Sequence, residues 1–176
     1  INTSRITDLD STNPDDLTFG EIKGRKQAWE LVDFFKERIP GFENAKLSFT
    51  GPSIGVRSSR QIKGLYTITK EDVLSGKKFD DGIACNGYPI DIHSPTGEDT
   101  YSTHLKWGDY YTIPLRSLLN SKITNIITVG RCIDGEFEAQ AAFRTTPCSG
   151  AIGHAGGVVA AVAIKSNKNP IEIDAE

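Results

Sequence analysis

Hydrophobic residues fall along this chain in two rhythms, and the change from one to the other predicts its elements. In "PDDLTFGEIKGRKQAWELVDFFKERIPGF", Ala28, Leu31, Val32, Phe35 and Ile39 recur at the i, i+3, i+4, i+7, i+11 spacing of a single helical face. Thr18 and Glu21 have capping-box spacing, which predicts a helix over 19–39, and Pro40-Gly41 predicts its stop. Beyond it the period shortens to two. "KLSFT" (46–50), "VRSSRQI" with "GLYTIT", "GYPIDIH" (87–93) and "DYYTIPL" (109–115) alternate as strands, and the turn residues between them predict antiparallel pairing. Pro89 marks an edge position or a strand start.

Between these strands, "TKEDVLSG" (69–76) predicts a short helix with Thr69 and Asp72 as a capping pair and Gly76 at its end. "SPTGEDTYST" and the stretch after Gly130 read as loops. "SKITNIITVG" (121–130) contains a buried-type strand, Ile126–Val129, and "RTTPCSGAIGHAGGVVAAVA" (144–163) reads as a helix starting near Pro147. The fold class is therefore α+β: a mostly antiparallel sheet with a long N-terminal helix, then a C-terminal strand and a glycine-rich helix. Residues 1–120 form one expected segment and 121–176 a second.

Charge and composition narrow the function classes. The net charge of −3 comes with no basic stripe, so no nucleic-acid partner is expected. Lys23, Arg25 and Lys26 read as a solvated helix face. The longest strongly apolar run, "VVAAVAI" (158–164), is far short of the about 20 residues of a spanning helix, so no membrane partner is expected either. Cys85, Cys132 and Cys148 form no C-x-x-C, and His93, His104 and His154 have no ligand spacing with them. A metal site and a disulfide framework are not expected, and the odd thiol count fits a reducing, cytoplasmic setting. The chain contains no methionine and opens on residues that read as already inside a fold. This gives the expectation of a piece of a longer protein.

The chemistry concentrates in the last third. A buried strand ending in Gly130, then a loop, then a small-residue helix is the layout of a nucleotide-binding edge. The first amides of that helix are unpaired and partly positive, so they attract anions. Gly150, Gly153 and Gly157 lie at i, i+3, i+7, and without side chains there a strand or a flat ligand can approach the backbone.

"GVRSSRQIKGLYTITKEDVLSGKKFDDGIACNGYPIDIH", "YYTIPLRSLL" and "NIITVGRCIDGEFEAQAAFRTTPCSGAIGHAGGVVAAVA" resemble, in order and spacing, the C-terminal part of bacterial FAD-dependent oxidoreductases. These are flavin dehydrogenases related to the glutathione-reductase-like flavoproteins. The family's G-x-G-x-x-G fingerprint is absent from this chain. The resemblance therefore implies that the N-terminal FAD-binding part is missing, that the C-terminal strand and helix would complete a Rossmann-type FAD domain, and that these residues alone are inactive. Without that part, strand and helix would be exposed, or cover each other by a self-contact or in a homodimer.

Residue by residue, the resemblance implies that Gly130 and Arg131 meet the ribityl–pyrophosphate region and that Arg144 clamps the cofactor. It places Cys148, Ser149 and Gly150 at the helix start, against the flavin edge that becomes negative on reduction. On the substrate side it offers Arg57 and Arg60 for an anionic group of a small organic molecule. Three apart, they point to opposite faces of a regular strand, and Arg60 is the candidate taken. His93 is the candidate proton donor or acceptor, with Asp91 to orient it; Arg116 is a further, more structural cation. The implied activity is hydride transfer between substrate and flavin. The alternative is a binding or scaffold domain that kept the fold without the cofactor.

Overall fold

The computed structural model describes residues 4–93 and 100–175. The chain divides into two compact units, 1–59 and 60–176. In the first, helix α1 (Pro14–Arg38) starts five residues earlier than the 19–39 expectation. Asn13 accepts from the Asp15 amide, Pro14 occupies the first turn, and Asp15 and Asp16 complement the helix dipole. That signal outcompetes Thr18–Glu21. The Thr18 hydroxyl donates to the Pro14 carbonyl, while Glu21 accepts from the Ile54 amide at 2.6 Å and pairs with Arg25. Gly20 and Gly24 let Ile54, Leu9 and Ile6 lie against the helix, where a Cβ at Gly20 would come within 2.9 Å of Ile54. Phe49, expected inside a strand, is 83% exposed, and 46–50 forms no strand.

The second unit holds the main core, built around Ile68, Val73, Ile90, Tyr111, Ile113, Ile133, Phe143 and Ile152. Two antiparallel ladders frame it. Strand β1 (Gly82–Asn86) pairs with β4 (Tyr111–Pro114), and β2 (Ile90–His93) pairs with β3 (Thr100–Thr103), so that His93 lies opposite Thr100. A register irregularity between Gly82 and Ala84 brings Thr112 so close that a Cβ on Gly82 would sit 2.8 Å from its hydroxyl. Strand β1 carries no expectation from the pattern, and β3 falls in a stretch that reads as loop. The remainder of that stretch, 94–99, lies outside the described residues.

The segment 61–68 does not form the expected antiparallel hairpin. It runs beside 132–136, with Ile68 and Gly135 in a parallel bridge. Residues 126–129 make only one bridge, Leu119 to Ile127, and Ile126 and Val129 are exposed. The stretch after Gly130 contains helix α3 (Phe137–Phe143), and helix α4 spans Thr146–Ser166. Helix α4 packs on β1, and Cys148, Ile152, Ala155, Val159 and Ala163 lie on the buried arc of its surface. At 21 residues it is long and apolar enough to cross a membrane by length and composition, which the seven-residue run alone did not suggest. Asn167, in the left-handed region, closes it.

Helix α2 (Lys70–Leu74) follows its expected capping box, and Asp72 does more than cap. This buried carboxylate accepts from the Thr69 amide (2.9 Å), the Tyr66 hydroxyl (2.7 Å) and Lys77 Nζ (2.7 Å). Burial disfavours its charge, but the hydrogen bonds from Lys77, Thr69 and Tyr66 outweigh burial and hold the carboxyl below the ordinary Asp value. A carboxyl depressed on folding stabilises the fold above its unfolded pKa of about 3.9 and loses that contribution as pH falls through the lower folded value. Asp72→Asn should therefore lower stability at neutral pH by about 2 kcal/mol and flatten the loss below about pH 4. Urea midpoints across pH check this, and parallel acid limbs for the two proteins would refute it.

Candidate functional site

The junction between α3 and α4 carries four of the eight predicted residues, Arg144, Cys148, Ser149 and Gly150. Helix α3 ends at Phe143, fully buried, and its chain turns through Arg144 into α4. Arg144 is half-buried, and its Nη2 donates to the Asp91 carbonyl at 3.1 Å. This ties the α3–α4 turn to strand β2, whose last residue is His93; the His93 side chain lies outside the described residues. Asp91 faces Arg144 through its backbone.

The first turn of α4 holds Cys148, Ser149 and Gly150 in three different settings. Thr145 occupies the cap position without a side-chain capping bond. The Cys148 thiol is buried in the core with Tyr111 and Ile152. Ser149 Oγ is buried with no hydrogen-bond partner among the described residues. Gly150 is exposed, and a Cβ there, or on Gly153 or Gly157, would meet nothing within 4 Å. Gly156 differs: it turns inward, where a Cβ would collide with the side chain of Val129. Space is thus open above Gly150, Gly153 and Gly157, and one orphaned hydroxyl and a turn without a side-chain cap lie at the positive end of α4.

Beside α4 packs the 3-10 turn Gly130–Cys132, with Gly130 in the left-handed region at φ 73°. Arg131 is exposed on it. The Ile62 amide donates to the Cys132 carbonyl at 2.8 Å, and Arg60, also exposed, stands two residues before Ile62. Backbone pairing thus brings the neighbourhoods of Arg60 and Arg131 together, 71 positions apart in sequence. Arg57 belongs to the first unit. Arg116 is committed to a two-point fork on Asp81, at 2.9 and 3.1 Å.

The pattern of the sequence leaves out Asp134, Glu136 and Gln61, whose side chains hold the loop after Gly130 to the 61–70 segment. Their partners are roughly seventy residues away, as for Asp134 and Gly64 (70), so no local spacing announces them.

Two opposing effects act on Cys148. A helix start lowers a thiol pKa, but burial dominates and pushes this one up to about 12. Burial likewise pushes the Tyr111 phenol far above its usual value, with Cys148 adding and the Asn86 hydrogen bond partly offsetting. At pH 8 a thiol reagent should label Cys85 and Cys132, which are exposed, and reach Cys148 only after unfolding. Rapid labelling of all three thiols in the native chain would contradict this.

Among the described residues no group of His, Cys, Asp and Glu side chains could hold a metal ion. No curated protein and no solved structure matches the chain. A model of the FAD-dependent oxidoreductase family matches residues 1–176, its whole length. The chain belongs to the FAD-dependent oxidoreductase family.

Proposed function

We propose that these residues form the substrate side and one cofactor edge of a flavin dehydrogenase that moves a hydride between a small anionic organic molecule and FAD. FAD is the cofactor of the family. The observation that carries the reading is the start of α4: an orphaned Ser149 hydroxyl and a turn with no side-chain cap, beside the open face of Gly150, Gly153 and Gly157. A buried hydroxyl without a partner costs about 1–3 kcal/mol, which an acceptor or donor on a bound group would recover. An open glycine face admits a flat ring.

Bound FAD supplies the hydride-accepting ring. The chain's own residues do the rest. The leading amides of α4 present partial positive charge, which holds an anionic edge and raises the reduction potential of a group placed there. Ser149 donates its hydroxyl, and Cys148 contributes only its backbone because its thiol is buried. Gly130, in its left-handed turn, admits close approach, and Arg131 offers fixed donors to phosphate or ring oxygens. Arg144 fixes the turn and the β2 strand together. Arg60 grips a substrate carboxylate, and His93 holds or releases a proton at an imidazole nitrogen near neutral pH.

In this reading α4 and the 126–129 segment complete a Rossmann-type domain whose G-x-G-x-x-G turn is not among these 176 residues. The missing turn also favours a second reading, a scaffold domain without cofactor. The two separate cleanly. Full-length protein should show a flavin absorption spectrum, and a colourless protein that FAD cannot reconstitute ends the first reading. Arg144→Ala in that protein should weaken FAD retention about tenfold, the worth of one charge-assisted hydrogen bond; equilibrium dialysis would expose unchanged retention. The 176 residues alone, without the fingerprint, should not retain FAD through a desalting column.

A further inference from the structure

We propose that Asp134 and Glu136 are positioning residues. They clasp the loop that carries Gly130 and Arg131 to the segment that carries Arg60, so that the cofactor edge and the substrate-anion site are set as one piece. The functional half of this proposal rests on the flavin reading above; the clasp itself does not.

The need for a clasp comes from a mismatch in the backbone. Residues 61–68 and 132–136 run side by side, and at the two ends their main chains pair. Ile62 donates to Cys132 at one end, while at the other Ile68 donates to Asp134 and Glu136 donates back to Ile68. Between these ends the first segment turns away, and the Leu65 amide donates instead to the carbonyls of Arg116 and Leu119. The Gly64 amide would then have no partner, a cost that native structures avoid. The Asp134 carboxylate fills the gap: Oδ2 accepts from the Gly64 amide at 2.7 Å and from the Thr67 hydroxyl at 3.1 Å. Gly64 is glycine because the approach is close, a Cβ there lying 2.9 Å from Asp134 Cβ and 3.1 Å from the Ser117 carbonyl. Two residues on, Glu136 Oε2 accepts from the Lys70 amide at 2.9 Å, at the start of α2. Gln61 completes the set by donating to the Ile133 and Gly135 carbonyls.

Both carboxylates therefore project from the loop after Gly130 onto backbone donors of the 61–70 segment. Arg131 lies three residues before Asp134 and Arg60 one residue before Gln61. The clasp fixes the spacing of the two arginines through the backbone segments that carry them.

Hydrogen exchange on the 176-residue chain tests the clasp without any flavin. Asp134→Ala should speed exchange about tenfold in peptides covering 62–68 and 129–136, with the rest of the second unit unchanged. Asp134→Asn, which still accepts from Gly64 and Thr67, should restore most of the protection. Asp109→Asn, which removes the ion pair to Lys78 (2.9 Å) elsewhere in the unit, is the control and should leave those peptides as they were. Wild-type exchange in Asp134→Ala, or loosening spread evenly over the unit, overturns the clasp. In full-length protein, Asp134→Ala and Glu136→Ala should shift the bound-flavin absorption band and lower FAD retention, while Asp109→Asn does neither. Local loosening with an unchanged flavin spectrum and retention makes the clasp structural only and overturns the positioning role. Absence of flavin from unmodified full-length protein sinks the flavin reading with the functional half, and the exchange result then decides the clasp alone.

Discussion

The second unit depends on one long-range pairing, the docking of 61–70 against 132–136. Closing a loop of some seventy residues costs only slowly growing entropy, but it must be met before any contact across it forms. Ile68 meets that cost in the core. It is fully buried, its backbone pairs with Asp134 and Glu136, and its neighbour across the bridge, Gly135, lies under the Phe143 ring. A Cβ on Gly135 would sit 2.5 Å from Phe143, so the glycine is there to let ring and backbone meet. From this point α3 leaves in a fixed direction and delivers Arg144 to β2 and the first turn of α4 to the rim of the core.

The arrangement explains why apparently local features of the last third need the middle of the chain. The open end of α4 has its place because Cys148 and Ile152 anchor its inner arc among Tyr111, Ile113 and Phe143. The small-residue helix sacrifices intrinsic helix propensity, and burial of that inner arc compensates. The outward glycines contribute nothing to this packing. The open space above them is the physical basis of the proposed cofactor edge.

Much of this was legible in the sequence, and the reasons for the rest are specific. The Thr69–Asp72 capping box, the alternation of Tyr111–Pro114 and the small-residue helix from Thr146 carry their signals within a few residues. The start of α1 was misplaced because Asn13-Pro14 and Thr18–Glu21 both spell a helix start, and the first also supplies a proline already set for the opening turn. Helix α3 was hidden because "EFEAQAAF" is short and buried nearly all round, which leaves no amphipathic rhythm. The 61–68 segment alternates like a hairpin strand, yet its partner is the distant 132–136, and periodicity reports a face without naming what lies alongside. Of the candidate site, the residue types at the helix start could be read, whereas the burial of Cys148 and the openness of Gly150 depend on the helix's rotation against the core.

Gly156 has one more implication. It is the glycine of α4 that faces its own chain, seating the side chain of Val129, while Gly150, Gly153 and Gly157 face outward. Along this one helix, drift in sequence is therefore governed by two separate pressures. Residue 156 can gain bulk only in exchange for bulk lost at 129, so these two positions should change volume in opposite directions among descendants of this fold. The outward three, where a Cβ would meet nothing within 4 Å, are free of that bargain.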